Sequence, residues 1–348
     1  MRSRSLECGS IAKGELAEGC KLCTEGCKMV LFITGKCKTG CFYCPVSDSK
    51  MGSDNIFANE LMVTSLEGII EEAENMNALG TGITGGDPLM KMDRTLEAIR
   101  MLKERFGKEH HIHLYTSTID LKKVKELASA GLDEIRFHPS AGTWRSIKET
   151  ELGEIVKIGL DVGIEVPALP DQHDSLQVLV RDASELGVKF INLNELEFSE
   201  TNWDMMDSMG YDLKDESSAV AGSEKVAREV IKDSKMRIHF CSSSFKDSVQ
   251  LRRRLIRRAE NTAREMDIVT EDGTILKGLL YADDVKEAIA VLREYDVPDD
   301  LFSDRGNGKL EVAPWVLEEL AEELPYKCYI VEEYPTADRL EVERTPLN

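Results

Sequence analysis

Nine cysteines occur in the chain, and six of them fall between Cys20 and Cys44. The densest run reads Ile33-Thr34-Gly35-Lys36-Cys37-Lys38-Thr39-Gly40-Cys41-Phe42-Tyr43-Cys44-Pro45, a C-x₃-C-x₂-C spacing. In a reducing compartment, thiols crowded in this way serve as metal ligands before they serve as disulfides. A structural zinc ion is closed by four ligands, ordinarily in two separated pairs. Three thiolates on one loop suit three irons of a 4Fe–4S cubane and leave the fourth iron without a protein ligand. That open iron can chelate the amino and carboxylate groups of S-adenosylmethionine. Electron transfer from the cluster then breaks a carbon–sulfur bond and yields a 5′-deoxyadenosyl radical. Such a cluster is oxygen-sensitive. A zinc site and a plain ferredoxin-like cluster are the competing readings of the same thiols.

The cysteines must be held by what surrounds them. From about residue 29 short β-rich runs at 29–34, 81–84, 111–115, 134–137, 164–168, 189–193 and 236–240 alternate with segments of helical period. Leu66, Ile69, Ile70, Ala73 and Met76 share one helical face, as do Leu121, Val124, Leu127 and Ala128, and Leu176, Leu179, Val180 and Ala183. Gly80, Gly131, Gly163 and Gly187 stand at the joints and read as helix ends. Six or seven strand–helix repeats imply an α/β fold with a parallel sheet, because parallel strands need crossovers. A partial (β/α)6 or fuller β/α barrel is expected, with chemistry at the C-terminal ends of its strands. An open doubly wound sheet is the alternative. After Ser244 the pattern changes to a basic helix, a hairpin at 266–281 and a small α+β appendage. The expected organisation is a Cys-rich extension over 1–28, the barrel over 29–244 and the appendage over 245–348.

The chain resembles the radical S-adenosylmethionine superfamily in more than its three cysteines. An aromatic residue, Tyr43, precedes the third cysteine, and Thr84-Gly85-Gly86-Asp87-Pro88 ends the second strand. The resemblance implies that Cys37, Cys41 and Cys44 hold the cluster and that the Tyr43 backbone lies near the adenine. It also implies that the turn at Gly85, Gly86 and Asp87 meets the methionyl ammonium group, although Asp87 replaces the commoner Glu. Paired glycines permit the close backbone approach this needs. A one-electron reductant such as ferredoxin or flavodoxin is implied as a partner. Segments 41–45, Ala58-Asn59-Glu60, 249–261 and Glu333-Tyr334-Pro335-Thr336 further resemble a mostly archaeal branch related to the pyruvate formate-lyase activating enzymes, a likeness that brings no reaction with it.

Polar residues at the strand ends are candidates for the barrel mouth: Tyr115, Thr116 and Ser117, Arg136 and His138, Asp171, Asn192, Asn194 and Glu195. Ser117 and Asn194 are read as cofactor-binding and His138 as a proton donor, against ordinary capping of loops and helices. Cys20, Cys23 and Cys27, with Cys8 or Cys241 as a fourth ligand, form a possible second metal site holding another Fe–S cluster or zinc. The arginine-rich helix around 252–258 suits phosphate, or a solvated face paired with acids. A net charge of −20 opposes DNA and anionic lipid, leaving RNA only through a local basic patch. No signal-peptide pattern opens the chain and no run reaches the roughly 18 apolar residues of a membrane span, so a cytoplasmic enzyme is expected. Its substrate is open between RNA, protein and a small metabolite, with activation of a glycyl-radical enzyme as one form. A zinc-stabilised binding protein is the non-catalytic alternative.

Overall fold

In this computed structural model, which describes residues 1–215 and 217–348, the alternating runs become neighbours in one eleven-stranded sheet. Its strands are β1 (Ser3–Ser5), β2 (Ile11–Lys13), β3 (Lys28–Phe32), β4 (Ile56–Ala58), β5 (Leu61–Val63), β6 (Gly80–Thr84), β7 (His111–Thr116), β8 (Glu134–Phe137), β9 (Asp161–Pro167), β10 (Phe190–Asn194) and β11 (Ile238–Cys241). They lie in the order β1-β2-β11-β10-β9-β8-β7-β6-β3-β4-β5. The run from β3 through β6 to β11 is parallel and keeps chain order. Crossovers that all step the same way, with one hand, put every crossover helix on one face. A doubly wound sheet reverses at a switch point, so that alternative is excluded. The edges β1 and β5 remain unjoined, and the result is a partial barrel.

The helices of this unit are α1 (Glu18–Thr24), α2 (Glu67–Asn75), α3 (Met92–Phe106), α4 (Leu121–Ala130), α5 (Leu152–Ile155), α6 (His173–Leu186), α7 (Trp203–Ser208), α8 (Ser223–Asp233) and α9 (Ser243–Phe245). Ile69, Ile99, Leu102, Val124, Leu127, Leu176 and Leu179 are fully buried, together with Leu31, Ile83, Leu114, Ile135, Ile164 and Leu193 from the strands. Each such side chain contributes roughly 1.5–3 kcal/mol by leaving water. Gly131 and Gly187 end α4 and α6 in the left-handed conformation, as their place in the sequence predicts. Gly80 and Gly163 do not cap helices. They lie within β6 and β9, where a Cβ would meet the His111 carbonyl oxygen at 2.5 Å and the Phe190 ring at 2.3 Å.

The other face of the sheet is polar. Strand side chains alternate, and the residues opposite the helices include Lys28, His111, His113, Glu134, Arg136, Glu165, Asn192 and His239. The first 28 residues help to close this lumen. β1 and β2 extend the sheet antiparallel beside β11, and α1 packs on β3, β6 and β7. Gly19 of α1 donates its backbone N–H to Glu134 Oε2 at 3.2 Å. At the same end, Lys28 Nζ lies 2.7 Å from His111 Nδ1, and burial brings its pKa down to about 8. Burial and the Lys28 charge also lower His110 and His111, each to about 4.

The chain forms two compact units, residues 1–74 with 78–251 and residues 75–77 with 252–348. The second contains α10 (Arg252–Thr262), β12 (Ile268–Val269), β13 (Ile275–Tyr281), α11 (Val285–Glu294), β14 (Phe302–Gly306), β15 (Lys309–Val312), α12 (Pro314–Leu320), β16 (Lys327–Glu333) and β17 (Glu341–Pro346). Its antiparallel sheet runs β14-β15-β13-β16-β17, with β12 on β13, around a core of Leu280, Leu292, Leu310, Val312, Leu317 and Cys328. The expected continuous basic helix is interrupted by a π-helical turn at Lys246–Leu251. No helix among the described residues is long and apolar enough to cross a membrane.

A Cβ at Gly19 would stand 2.5 Å from Arg136 Nη2, 2.5 Å from His113 Nδ1 and 2.9 Å from Glu134 Oε1, all buried. Gly19→Ala is therefore expected to destabilise the protein by about 1–3 kcal/mol in urea unfolding. Gly142→Ala, which meets nothing within 4 Å, is expected to be near neutral. The histidines predict an acid-side loss of stability. Below pH 6.5 the unfolded chain binds protons that native His110 and His111 refuse until about pH 4, so stability falls as pH drops through that window. The urea midpoint should fall from pH 7 to pH 5, less steeply in the His110→Gln/His111→Gln variant. An identical slope in that variant contradicts the assignment.

Candidate functional site

The cysteine loop follows β3 and is pinned by its own backbone. Gly35 N–H donates to the Ser53 carbonyl and Gly52 N–H to the Gly35 carbonyl, both at 2.9 Å. Arg94 Nη1 donates to the Ile33 carbonyl at 2.9 Å and to Asp54 Oδ1 at 3.0 Å, and Lys91 also pairs with Asp54. Cys37 is exposed, while Cys41 and Cys44 are half-buried. The Thr39 N–H points at Cys37 Sγ across 3.4 Å, the kind of N–H···S bond that ligand sulfurs of a cluster accept. Burial raises the Cys41 thiol, and the neighbouring Cys37 and Cys44 raise it further. Among the described residues no three His, Cys, Asp or Glu side chains converge as the donors of one ion. Three thiolates on a cubane bind three different irons, so this donor set fits the cluster.

The Gly-Gly turn closes on this loop. Gly86 N–H donates to the Thr34 carbonyl at 2.7 Å and Asp87 N–H to the Lys36 carbonyl at 2.8 Å. A Cβ at Gly85 would stand 2.4 Å from Thr34 O, and one at Gly86 2.5 Å from Lys36 O, both backbone atoms that cannot step aside. Asp87 is 2% exposed. Its Oδ1 accepts from Leu89 N–H (3.0 Å) and Thr116 Oγ1 (2.7 Å), and its Oδ2 from Ser117 Oγ (2.9 Å) and Thr118 Oγ1 (2.7 Å). The carboxylate thus brackets the turn to the end of β7. Ser117 in turn accepts from Thr39 Oγ1 at 2.7 Å, which ties the cysteine loop to the same bracket.

Tyr43 lies between the loop and the lumen. His138 Nδ1 meets the Glu165 carbonyl at 2.7 Å, and a carbonyl only accepts, so Nδ1 carries the proton. Nε2 is left to accept from the Tyr43 hydroxyl at 3.0 Å. Burial lowers the His138 pKa, so the imidazole is neutral and its geometry is that of a support for Tyr43. On the other side Asn202 Nδ2 donates to the Tyr43 carbonyl and Thr201 Oγ1 to the Cys44 carbonyl, each at 3.2 Å.

Beneath lies a charged floor. Arg136 donates to Glu134 Oε1 through Nε (2.5 Å), and to Glu165 Oε2 (2.8 Å) and the Tyr115 hydroxyl (2.9 Å) through Nη1. Glu165 also accepts from Asn192 Nδ2 at 2.8 Å and Asn194 Nδ2 at 3.0 Å. Burial alone would push its carboxyl up, but Arg136 and the two amides outweigh burial and hold it below the ordinary value. Asn194 thus orients Glu165. Sequence reasoning passed over Glu134, Glu165, His113 and His239, and the available signal was polar residues at every second strand position where a doubly covered parallel strand would be apolar throughout.

The upstream cysteines are dispersed. Cys20 accepts from Asn192 Nδ2 at 3.1 Å within the lumen, and burial pushes its thiol up to about 12. Cys241 accepts from Gln250 Nε2 at 3.6 Å, while the Cys27 thiol donates to the Glu25 carbonyl at 3.4 Å. Cys23 is partly buried, and burial raises its thiol above the ordinary value. Of the five, Cys20, Cys27 and Cys241 are buried and Cys8 is exposed.

Asp87→Ala removes an acceptor shared by four donors. Loss of about 2–4 kcal/mol is expected in denaturant unfolding. Asp87→Asn, which keeps an acceptor oxygen, should recover part of it, and equal loss in both variants contradicts the bracket.

Comparisons with known proteins show the family. Residues 31–157 match the family model described as the radical SAM superfamily, and residues 273–347 match a domain of unknown function. A Methanocaldococcus jannaschii protein described as "Putative glycyl-radical enzyme activating enzyme" is 41% identical over 96% of this chain and 93% of its own length. A Methanococcus maripaludis protein described as "Probable GTP 3′,8-cyclase" is 30% identical over 40% of this chain and 46% of its own length. The crystal structure of methylornithine synthase aligns with 61% of this chain and 63% of its own, at 13% identity and a TM-score of 0.41. With a nearly full-length relative at that identity and the cysteine loop inside the matched segment, the chain belongs to the radical S-adenosylmethionine superfamily, as an enzyme of 4Fe–4S cluster and S-adenosylmethionine chemistry.

Proposed function

We propose that the enzyme directs its radical at a residue of a partner protein, in the manner of an activating enzyme. The observation that carries this reading is the 41% identity, over almost the whole chain, to a protein described as a glycyl-radical enzyme activating enzyme. When bound at Cys37, Cys41 and Cys44, the cluster supplies the electron that cleaves S-adenosylmethionine. Around it, Gly85 and Gly86 offer backbone close to the loop, Tyr43 walls the site, and His138 and Asn202 hold Tyr43 in place. A one-electron reductant in a reducing cytosol completes the system.

An RNA substrate is less well supported. The arginines of α10 have partners within the protein: Arg252 with Asp272 and Glu271, Arg257 with the Asn77 carbonyl, and Arg258 with the Pro335 carbonyl. Arg253 and Arg254 also interact within the protein. Guanidinium groups committed in this way are poorly placed to meet a phosphate backbone.

Release of 5′-deoxyadenosine by the anaerobically reconstituted, reduced protein tests the reading. The protein is assayed alone and with the protein, RNA and small-molecule fractions of host lysate. Stimulation by the protein fraction, with a radical on a polypeptide seen by electron paramagnetic resonance, is expected. Stimulation by RNA alone contradicts the protein reading, and no product with a reducible cluster contradicts the enzyme. Cys41→Ala should abolish release while keeping the far-ultraviolet circular dichroism of the parent.

A further inference from the structure

Between β10 and α8 the chain makes a long excursion over residues 195–222, and its two sides differ. The inner side belongs to the cysteine loop. Asn202 is 1% exposed and holds the Tyr43 carbonyl, Thr201 holds the Cys44 carbonyl, and Met206 is fully buried. Tyr211 stacks on Phe42 with ring centroids 5.9 Å apart. Lys214 neutralises Glu195 and Glu224, and Lys246 pairs with Glu197.

The outer side carries apolar surface among unneutralised acids. Trp203 is 45% exposed, Met205 54%, Met209 48% and Leu213 41%. Met205 on α7 and Met209, the residue that follows its last turn, are four positions apart. Glu200, Asp204, Asp207, Asp212 and Asp215 are exposed, and among the described residues none of the five forms an ion pair. Unbranched, polarizable Met side chains adapt to the shape of an apolar partner. Acidic residues around them favour a cationic partner and repel nucleic acid, anionic membrane and acidic protein.

We propose that the face carrying Trp203, Met205, Met209 and Leu213, within residues 200–215, is the docking surface for a basic, apolar-faced segment of the protein on which the radical acts. This rests on the protein-substrate reading above and adds where that protein binds and what its binding segment is like. The location suits the task. Thr201 and Asn202, which lead into α7, hold the carbonyls of Cys44 and Tyr43, so the docked partner sits beside the cysteine loop.

The probe is a short fluorescent amphipathic Leu/Lys peptide, titrated by anisotropy against the reconstituted protein. Binding should weaken at least about tenfold in Met205→Ser/Met209→Ser and in Asp204→Lys/Asp207→Lys, and fall with added salt. A Leu/Glu peptide should not bind. Equal affinity of the parent and both variants, or no binding to the parent, overturns the proposal. Cleavage assays separate it from the functional reading. The methionine variant should keep unstimulated 5′-deoxyadenosine release and lose stimulation by the partner-protein fraction. Equal stimulation of variant and parent overturns the docking surface alone, whereas no cleavage by the parent overturns the functional reading and leaves the peptide result standing. A parent that dimerises in sedimentation while the methionine variant does not makes the face a self-interface and also overturns the proposal.

Discussion

Arg136 carries a positive charge at 2% exposure inside a parallel sheet, where an uncompensated ion costs several kcal/mol. The rest of the unit answers that constraint. Glu134 and Glu165 come from the same and the neighbouring strand to pair with it, and Tyr115 comes from the strand on its other side. Glu134 also receives the Gly19 backbone, so the ion pair fixes where α1 seats. Position 19 admits no side chain because the guanidinium is already there. Glu165 brings Asn192 and Asn194 into register, and its carbonyl holds His138, which holds Tyr43. A line of hydrogen bonds thus runs from the floor of the lumen to the cysteine loop.

A second constraint meets the first at that loop. Asp87 gathers the hydroxyls that end β7 and the turn that ends β6, and Ser117 passes this order on to Thr39 between Cys37 and Cys41. The loop itself has little regular structure, so its shape depends on these brackets. A site that must approach a cofactor through backbone atoms gains from this arrangement. The bracing comes from side chains behind the backbone and from the Thr34, Gly35 and Lys36 carbonyls, which accept from the Gly86, Gly52 and Asp87 N–H groups.

Much of the parallel sheet was legible because helical and strand periods alternate cleanly. The apolar faces around Ile69, Val124 and Leu179 are buried as their spacing predicts. The C-x₃-C-x₂-C loop and the Gly-Gly turn were also legible, since few chemistries use three thiols on one loop after a strand. Glu134, Glu165 and His239 were not, because a charged residue in a strand reads as surface until the curvature of the sheet encloses it. The arginines of α10 looked available for phosphate only while their partners were unknown. Their acceptors lie far off in sequence, as with Pro335 for Arg258.

The sequence by itself determined the alternation of strand and helix, the three-cysteine loop and the resemblance to the superfamily, since each depends on local period or on residues close together in the chain. Tertiary structure decided that Asp87 braces the turn with its carboxylate, that His138 supports Tyr43 and that Cys20 meets Asn192. It also decided that Trp203, Met205, Met209 and Leu213 stay exposed while Met206 is buried. In each case the deciding quantity is a distance or an exposure set by residues tens of positions away, and no local pattern encodes it.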